Sequence, residues 1–287
     1  MIQLKFSLKS AGYCEAKQSH VLSGSANKVV KFRASYGHIE HPVHGHILFD
    51  TGYTRRFYSA TKNFPLNIYA YLTKVFIRVE EEASTALSNI GIVPEEVRFI
   101  IVSHFHADHI GGLRDFPNAR FICTKEAFVA VEHKKGFAAL TRGYLSSLLP
   151  NDFRGRTDFL ELEQATRKDE HLGKLYDLFG DGSILICQLE GHAKGQIGAL
   201  LETEIGKVFM ISDAAWLKQN FQDFHLPSPM VRLFIDSWKN FIQSLKRIHA
   251  YHQSNPETII IPCHCEETYE KLTNSSLGKE VLSPPND

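Results

Sequence analysis

No stretch of this 287-residue sequence strings together the roughly 18 apolar residues of a membrane-spanning helix. Cysteine is scarce as well. Cys14, Cys123, Cys187, Cys263 and Cys265 are odd in number and scattered, too few for a disulfide framework, so a reducing, cytoplasmic setting is expected. The first ten residues, MIQLKFSLKS, lack the charged-then-apolar order of a signal peptide; their alternation reads as a first strand instead. Neither sign of charge is in excess, with Lys plus Arg and Asp plus Glu at 32 each. That excludes a global attraction to nucleic acid or to an anionic membrane. Gly and Pro are not enriched, and no repeat or low-complexity segment is visible. Histidine is plentiful at 15 residues, and the total suggests that some of them work.

Apolar, β-branched runs at 29–34, 47–49, 97–102, 120–123, 184–189, 197–201, 207–211 and 258–261 read as strands. Val231, Phe234, Ile235, Trp238, Phe241, Ile242, Leu245 and Ile248 follow helical spacing, which predicts an amphipathic helix over 231–248. The stretch from Tyr53 to Val79 is aromatic and helix-compatible, and the region around 151–174 is polar and poorly patterned. Helices and strands are mixed without a linker. A single α/β domain over 1–287 is expected, with insertions near 53–80 and 130–180 and a frayed end at 283–287.

The chemistry lies at the strand ends. His104-x-His106-x-Asp108-His109 puts four candidate ligands into six residues directly after the apolar run 97–102. A turn lets such residues converge, whereas a continued strand would send neighbours to opposite faces. Imidazole nitrogen and carboxylate oxygen suit zinc and similar divalent ions. His192, Asp213 and His264 each follow another predicted strand closely, where α/β proteins gather their active sites. Seven ligands exceed one tetrahedral ion and suit two ions with a shared carboxylate. Any one of these residues alone would more often be an ordinary satisfied polar group; the combination is what carries the signal.

This set resembles the metallo-β-lactamase superfamily. The resembling residues are His104-x-His106-x-Asp108-His109 with Gly111-Gly112, then Gly191-His192, Ser212-Asp213 and His264. Asp50 in Phe49-Asp50-Thr51-Gly52 and the approach from Gly91 to Ser103 extend the likeness over roughly 40–270. The resemblance implies a four-layer αββα sandwich with the metals on one edge. It implies that His104, His106 and His192 bind one ion, that Asp108, His109 and His264 bind the other, and that Asp213 bridges them. Asp50 would orient a ligating histidine. Two divalent ions are expected, zinc first, with iron, manganese or cobalt as alternatives. A hydroxide shared between them would attack the substrate, and Asp108 would shuttle a proton to the leaving group.

The likeness ranks substrates by departures. True β-lactamases of the superfamily usually lack the Asp213 aspartate and are exported. Di-iron electron-transfer members carry glutamate where His106 stands and append a flavin domain. Motif order, length and the aromatic segment look more like the N-acyl homoserine lactone lactonases, which open a lactone ring. Trp216 departs from the tyrosine usual there, and Gln196 stands where a second histidine is common. A small-molecule lactone or ester is the leading substrate class; a glyoxalase-II-like thioesterase or a phosphodiesterase follows, and a catalytically silent metal-binding sensor is third. Trp216 and Lys194 are candidate pocket residues.

Three further features have bland readings. His38, His41, His44 and His46 form a second histidine group where a metal site is conceivable, but no carboxylate or cysteine set completes it. Cys263 and Cys265, in an extended chain, point away from the face His264 uses and so read as small buried residues. Tyr53, Phe57, Tyr58, Phe64, Tyr69, Tyr71 and Phe76 suit a lid for an acyl chain, ordinary packing, or a homodimer contact.

Overall fold

Strands that are buried on both faces need apolar residues without interruption, and those runs supply the centres of two sheets. The protein is represented by a computed structural model, which describes residues 2–274; the expected fraying at 283–287 lies outside them. In the first sheet β1 (Lys5–Lys17), β2 (Val29–His41) and β3 (Gly45–Phe49) run antiparallel in turn, with β4 (Val75–Phe76) beside β1. β5 (Val97–Ile101), β6 (Arg120–Thr124) and β7 (Thr157–Leu160) then add in parallel, giving the order β4-β1-β2-β3-β5-β6-β7. The second sheet holds β8 (Arg167–Asp169), β9 (Gly173–Asp177), β10 (Ile184–Gln188), β11 (Ile197–Thr203), β12 (Gly206–Ser212) and β13 (Ile259–Pro262) in reverse order. Among its strands in the described residues, β12 and β13 pair in parallel and the rest antiparallel. β7 and β8 come from the polar stretch that showed no pattern. β8 is short and carries Arg167-Lys168-Asp169, which has no apolar alternation to read.

The sheets pack face to face on one apolar layer that includes Phe6, Ile39, Ile47, Ile101, Ile186, Ala199, Val208, Met210 and Ile261. The alternate residues face outward. Phe209 and Ile211 of β12 meet Phe241, Leu245 and Ile248, while Ile100 and Val102 join a cluster with Ile110, Leu113 and Phe116. With helices on both outer faces, the architecture is the αββα sandwich. Among the described residues, no helix is long and apolar enough to cross a membrane.

The helix expected over 231–248 is in fact divided. A 3₁₀ turn occupies Pro229–Phe234, and the long helix is Trp238–Ser254. Ser237 makes the break: its Oγ accepts from Asn240 N at 3.3 Å, capping the helix. Asp236 N and Ser237 N donate to His192 O and Gly191 O at 3.1 and 2.9 Å. Apolar periodicity ran through the break because Val231 and Ile235 are buried as well.

The strand ends meet on one rim. Asp50 N donates to Ile101 O at 2.8 Å beside the ends of β3 and β5, and Ile197 N donates to Ser103 O at 3.1 Å, joining the two sheets there. The non-glycine residues Asp50 and Ser212 take positive φ, 63° and 49°, as the chain leaves β3 and β12. Such backbone strain concentrates at functional sites.

Candidate metal centre

The loops after β3, β5, β10, β12 and β13 bring Asp50, His104, His106, Asp108, His109, His192, Asp213 and His264 to that rim. A short helix, Ala107–Ile110, presents Asp108 and His109 after His104 and His106. One donor atom each from His104, His106, His192 and Asp213 lies within 4.8 Å of the others. His192 Nε2 stands 2.9 Å from His106 Nδ1 and 3.1 Å from Asp213 Oδ2. A second group, His109, Asp213, Cys263 and His264, is equally close. There His109 Nε2 and His264 Nε2 are each 3.2 Å from a different oxygen of Asp213, and each 3.5 Å from Asp108 Oδ2. Asp213 therefore faces both groups.

The outer ring nitrogens are anchored. His109 Nδ1 donates to Asp50 Oδ2 at 2.7 Å, and His264 Nδ1 donates to Arg33 O at 2.6 Å. Ser103 Oγ donates to Asp50 Oδ2 at 2.7 Å, so it is free to accept from His104 Nδ1 at 3.1 Å. Ser212 Oγ donates to Ser103 Oγ at 2.8 Å. With Nδ1 spent on the protein, Nε2 is the nitrogen that His104, His109 and His264 turn to the centre; His104 presents a lone pair there, and His109 and His264 would do so once an entering ion displaces their Nε2 protons. His104 Nε2 and His109 Nε2 are buried without any hydrogen-bond partner among the described residues. Buried nitrogens left bare cost about 1–3 kcal/mol each. A cation that accepts lone pairs removes that cost, so the donor set fits divalent metal ions.

Charge leads to the same fit. Asp50, Asp108 and Asp213 place three buried carboxylates around these rings. Burial, with His109, His106 and His192 beside it, holds His104 well below the ordinary histidine range. Burial and His192 push His106 down to about 3, and burial lowers His192 as well. These three are held neutral, the form in which imidazole can bind a metal ion. Burial also works against protonated His109, but Asp108, Asp50 and Asp213 outweigh it and raise it well above its usual value. His264 behaves alike, with Cys263 and Asp213 overcoming burial. Burial would raise Asp213, yet His264, His192 and His109 hold it well below the carboxylate range.

Two residues point where the sequence did not place them. Cys263 was expected to turn away from the face of His264. β13 stops at Pro262, however, and in the turn that follows strand alternation no longer applies. The Cys263 thiol is 2% exposed and donates to Asp213 Oδ1 at 2.7 Å. No sequence signal beyond its adjacency to His264 marked it. Trp216 is buried, and its Nε1 donates to Asp213 Oδ2 at 3.1 Å. Lys194 is exposed and lines a cavity of about 250 Å³ that opens beside His106 and His192. Phe105, Ala127, Val131 and Ile235 give this cavity apolar walls, and Arg142 pairs with Asp236 at its edge.

The second histidine group is a hydrogen-bonded cluster. Asp181 supplies the carboxylate the sequence lacked nearby, and donors from His41, His44 and Asp181 fall within 4.8 Å. Yet His41 Nδ1 accepts from Val43 N and His44 N at 3.1 and 3.2 Å. Its Nε2 then carries the proton, donating towards Asp181 Oδ2 and Ser183 Oγ at 3.0 and 3.1 Å. No lone pair is left on His41 for a metal. His38 Nε2 meets His46 Nδ1 at 3.1 Å, and His44 stacks on Phe179.

Three comparisons bear on this centre. The sequence profile of the Metallo-beta-lactamase superfamily matches residues 35–248. The chain is 25% identical over 172 residues to "N-acyl homoserine lactonase AttM" of Rhizobium radiobacter, covering 60% of this chain and 59% of that protein. It is 28% identical over 149 residues to the "N-acyl homoserine lactonase" of Bacillus cereus, covering 50% and 49%. The matched segment thus spans less than two thirds of these relatives. Among solved structures, an N-acyl homoserine lactone hydrolase with N-hexanoyl-L-homoserine at its catalytic metal center superposes with a TM-score of 0.72. The identity is 22%, covering 94% of this chain and 96% of that one. AidC, a dizinc quorum-quenching lactonase, superposes with a TM-score of 0.63 at 14% identity, covering 93% and 89%. Identities this low speak for the fold alone.

Proposed function

The chain belongs to the metallo-β-lactamase superfamily, and from that premise we propose that it is a dinuclear metal-dependent hydrolase acting on a lactone or ester carbonyl. In this reading His104, His106 and His192 hold one ion, Asp108, His109 and His264 hold the second, and Asp213 serves both. Zinc is the proposed metal, supported by the imidazole-rich donor set and by the dizinc lactonase that shares the fold. The observation that carries the reading is the convergence of donors from four separate loops, with His104 Nε2 buried and without a hydrogen-bond partner among the described residues.

Two such ions, when bound, supply a water acidified towards neutral pH and an electrophilic pull on a carbonyl oxygen. The protein's own groups do the rest. Asp50 fixes the ring of His109, and Arg33 O fixes that of His264, so the donors are held before substrate arrives. Asp108 stands 3.5 Å from both of those rings, and it carries a proton to the leaving oxygen. The cavity beside His106 and His192 takes the acyl chain, its apolar walls excluding water. A lactone with an N-acyl chain suits that shape, and the naming of the lactonase relatives supports it.

Elemental analysis beside a hydrolysis panel of lactones, thioesters, esters and phosphodiesters tests the reading. About two metal equivalents and a preference for N-acyl lactones are expected. Turnover confined to thioesters would move the assignment to a glyoxalase-II-like thioesterase, and a folded protein without metal would end it.

A further inference from the structure

Cys263 sits inside the centre, and the reading above gives it no part in holding metal. Its sulfur, 2.7 Å from Asp213 Oδ1, also lies within 4.8 Å of donors on His109 and His264. That spread is comparable with twice a zinc–ligand bond of about 2.0–2.3 Å. The geometry is held by β2 from both sides of the turn. Ser35 N donates to Cys263 O at 3.2 Å, and Arg33 O accepts from His264 Nδ1 at 2.6 Å. A second observation points to a ligand at the same place. His109 Nε2, in a side chain 1% exposed, faces this group without a hydrogen-bond partner among the described residues.

We propose that Cys263 is a sulfur ligand of the metal ion shared with His109, Asp213 and His264, which makes this half of the centre a mixed N, O, S site. The inference rests on the dinuclear reading above. As the ion enters, the S–H bond breaks, a metal–sulfur bond forms, and the proton leaves to solvent. Two imidazoles, a carboxylate and a thiolate form a four-donor set of the kind that binds zinc and cobalt(II), and sulfur disfavours manganese and magnesium. Asp108, whose Oδ2 is 3.5 Å from His109 Nε2 and His264 Nε2, remains the further oxygen ligand of the reading above and keeps its second carboxylate oxygen for proton transfer.

The test uses the full chain, stripped of metal and titrated with cobalt(II) chloride. Wild type and Cys265→Ser should each take up two equivalents and develop a sulfur-to-cobalt charge-transfer band in the near ultraviolet. Cys263→Ser should lack that band and bind the second cobalt at least about tenfold more weakly. X-ray absorption of the zinc-loaded wild type needs no variant; it should show a sulfur neighbour at about 2.3 Å beside nitrogen and oxygen at about 2.0 Å. Two bound ions without sulfur in their shell, or a band that survives in Cys263→Ser, overturns this inference alone. A folded protein that takes up no cobalt overturns the dinuclear reading with it.

Discussion

Asp50 Oδ2 lies 2.7 Å from His109 Nδ1, and the residues are each 1% exposed. The same carboxylate accepts from Ser103 N and Ser103 Oγ at 2.8 and 2.7 Å, and Ser103 Oγ reaches His104. One aspartate outside the donor set therefore orients a histidine of each group. Asp50→Asn keeps the size but loses the charge that holds the proton on Nδ1. Metal affinity should fall about 10- to 100-fold with the fold retained. Competition against a chelator of known affinity measures it, and unchanged affinity would count against this role.

Metal uptake should strengthen as pH rises. Despite the opposing effect of burial, their neighbours raise His109 and His264 well above 6.5, so each keeps a proton in the metal-free protein near neutrality. An entering ion must displace those protons. Affinity should therefore grow with pH, by up to about tenfold per unit for each proton released. Calorimetric titration in buffers of different ionisation enthalpy counts the protons directly. A pH-independent affinity with no proton release would contradict the assignment.

Gly191 positions His192 and has no room for a side chain. Its φ is 131°, and a Cβ there would stand 2.0 Å from Phe241 N, backbone at the start of the long helix. Gly191→Ala should cost at least about 3 kcal/mol, because the helix must retreat or the loop must reshape. Urea denaturation reads the loss; a change below about 1 kcal/mol would show that the contact yields easily.

His38 gives an acid-sensitivity prediction away from the centre. Burial first, then His46 and Lys9, lower it from 6.5 to about 3. Below pH 6.5 the unfolded chain binds a proton that the folded one refuses, so stability is present above 6.5 and drains away as pH falls towards 3. Between pH 6.5 and 4.5 the metal-free wild type should lose about 2 kcal/mol more than His38→Gln. Parallel curves for the two proteins would refute it.

Much of the strand framework was legible because burial on two faces leaves continuous apolar runs, as at 97–102 and 207–211. β7 and β8 were hidden because short, half-exposed strands such as Arg167–Asp169 carry no period. Periodicity also could not see the break at Ser237. Apolar residues occupy both sides of it, and only the bonds to Gly191 O and His192 O reveal why the chain stops there.

The sequence by itself determined the donor types and their place after strands, since His and Asp spacing is local chemistry. Only the tertiary structure decided where side chains point once a strand has ended. Cys263 and Asp181 show it: alternation loses force in a turn, and the distant aspartate joined His41 through folding alone. The cavity beside His106 and His192 likewise has walls from five separate stretches of chain. No local pattern encodes such a meeting, because it depends on how the loops and helices pack around the two sheets.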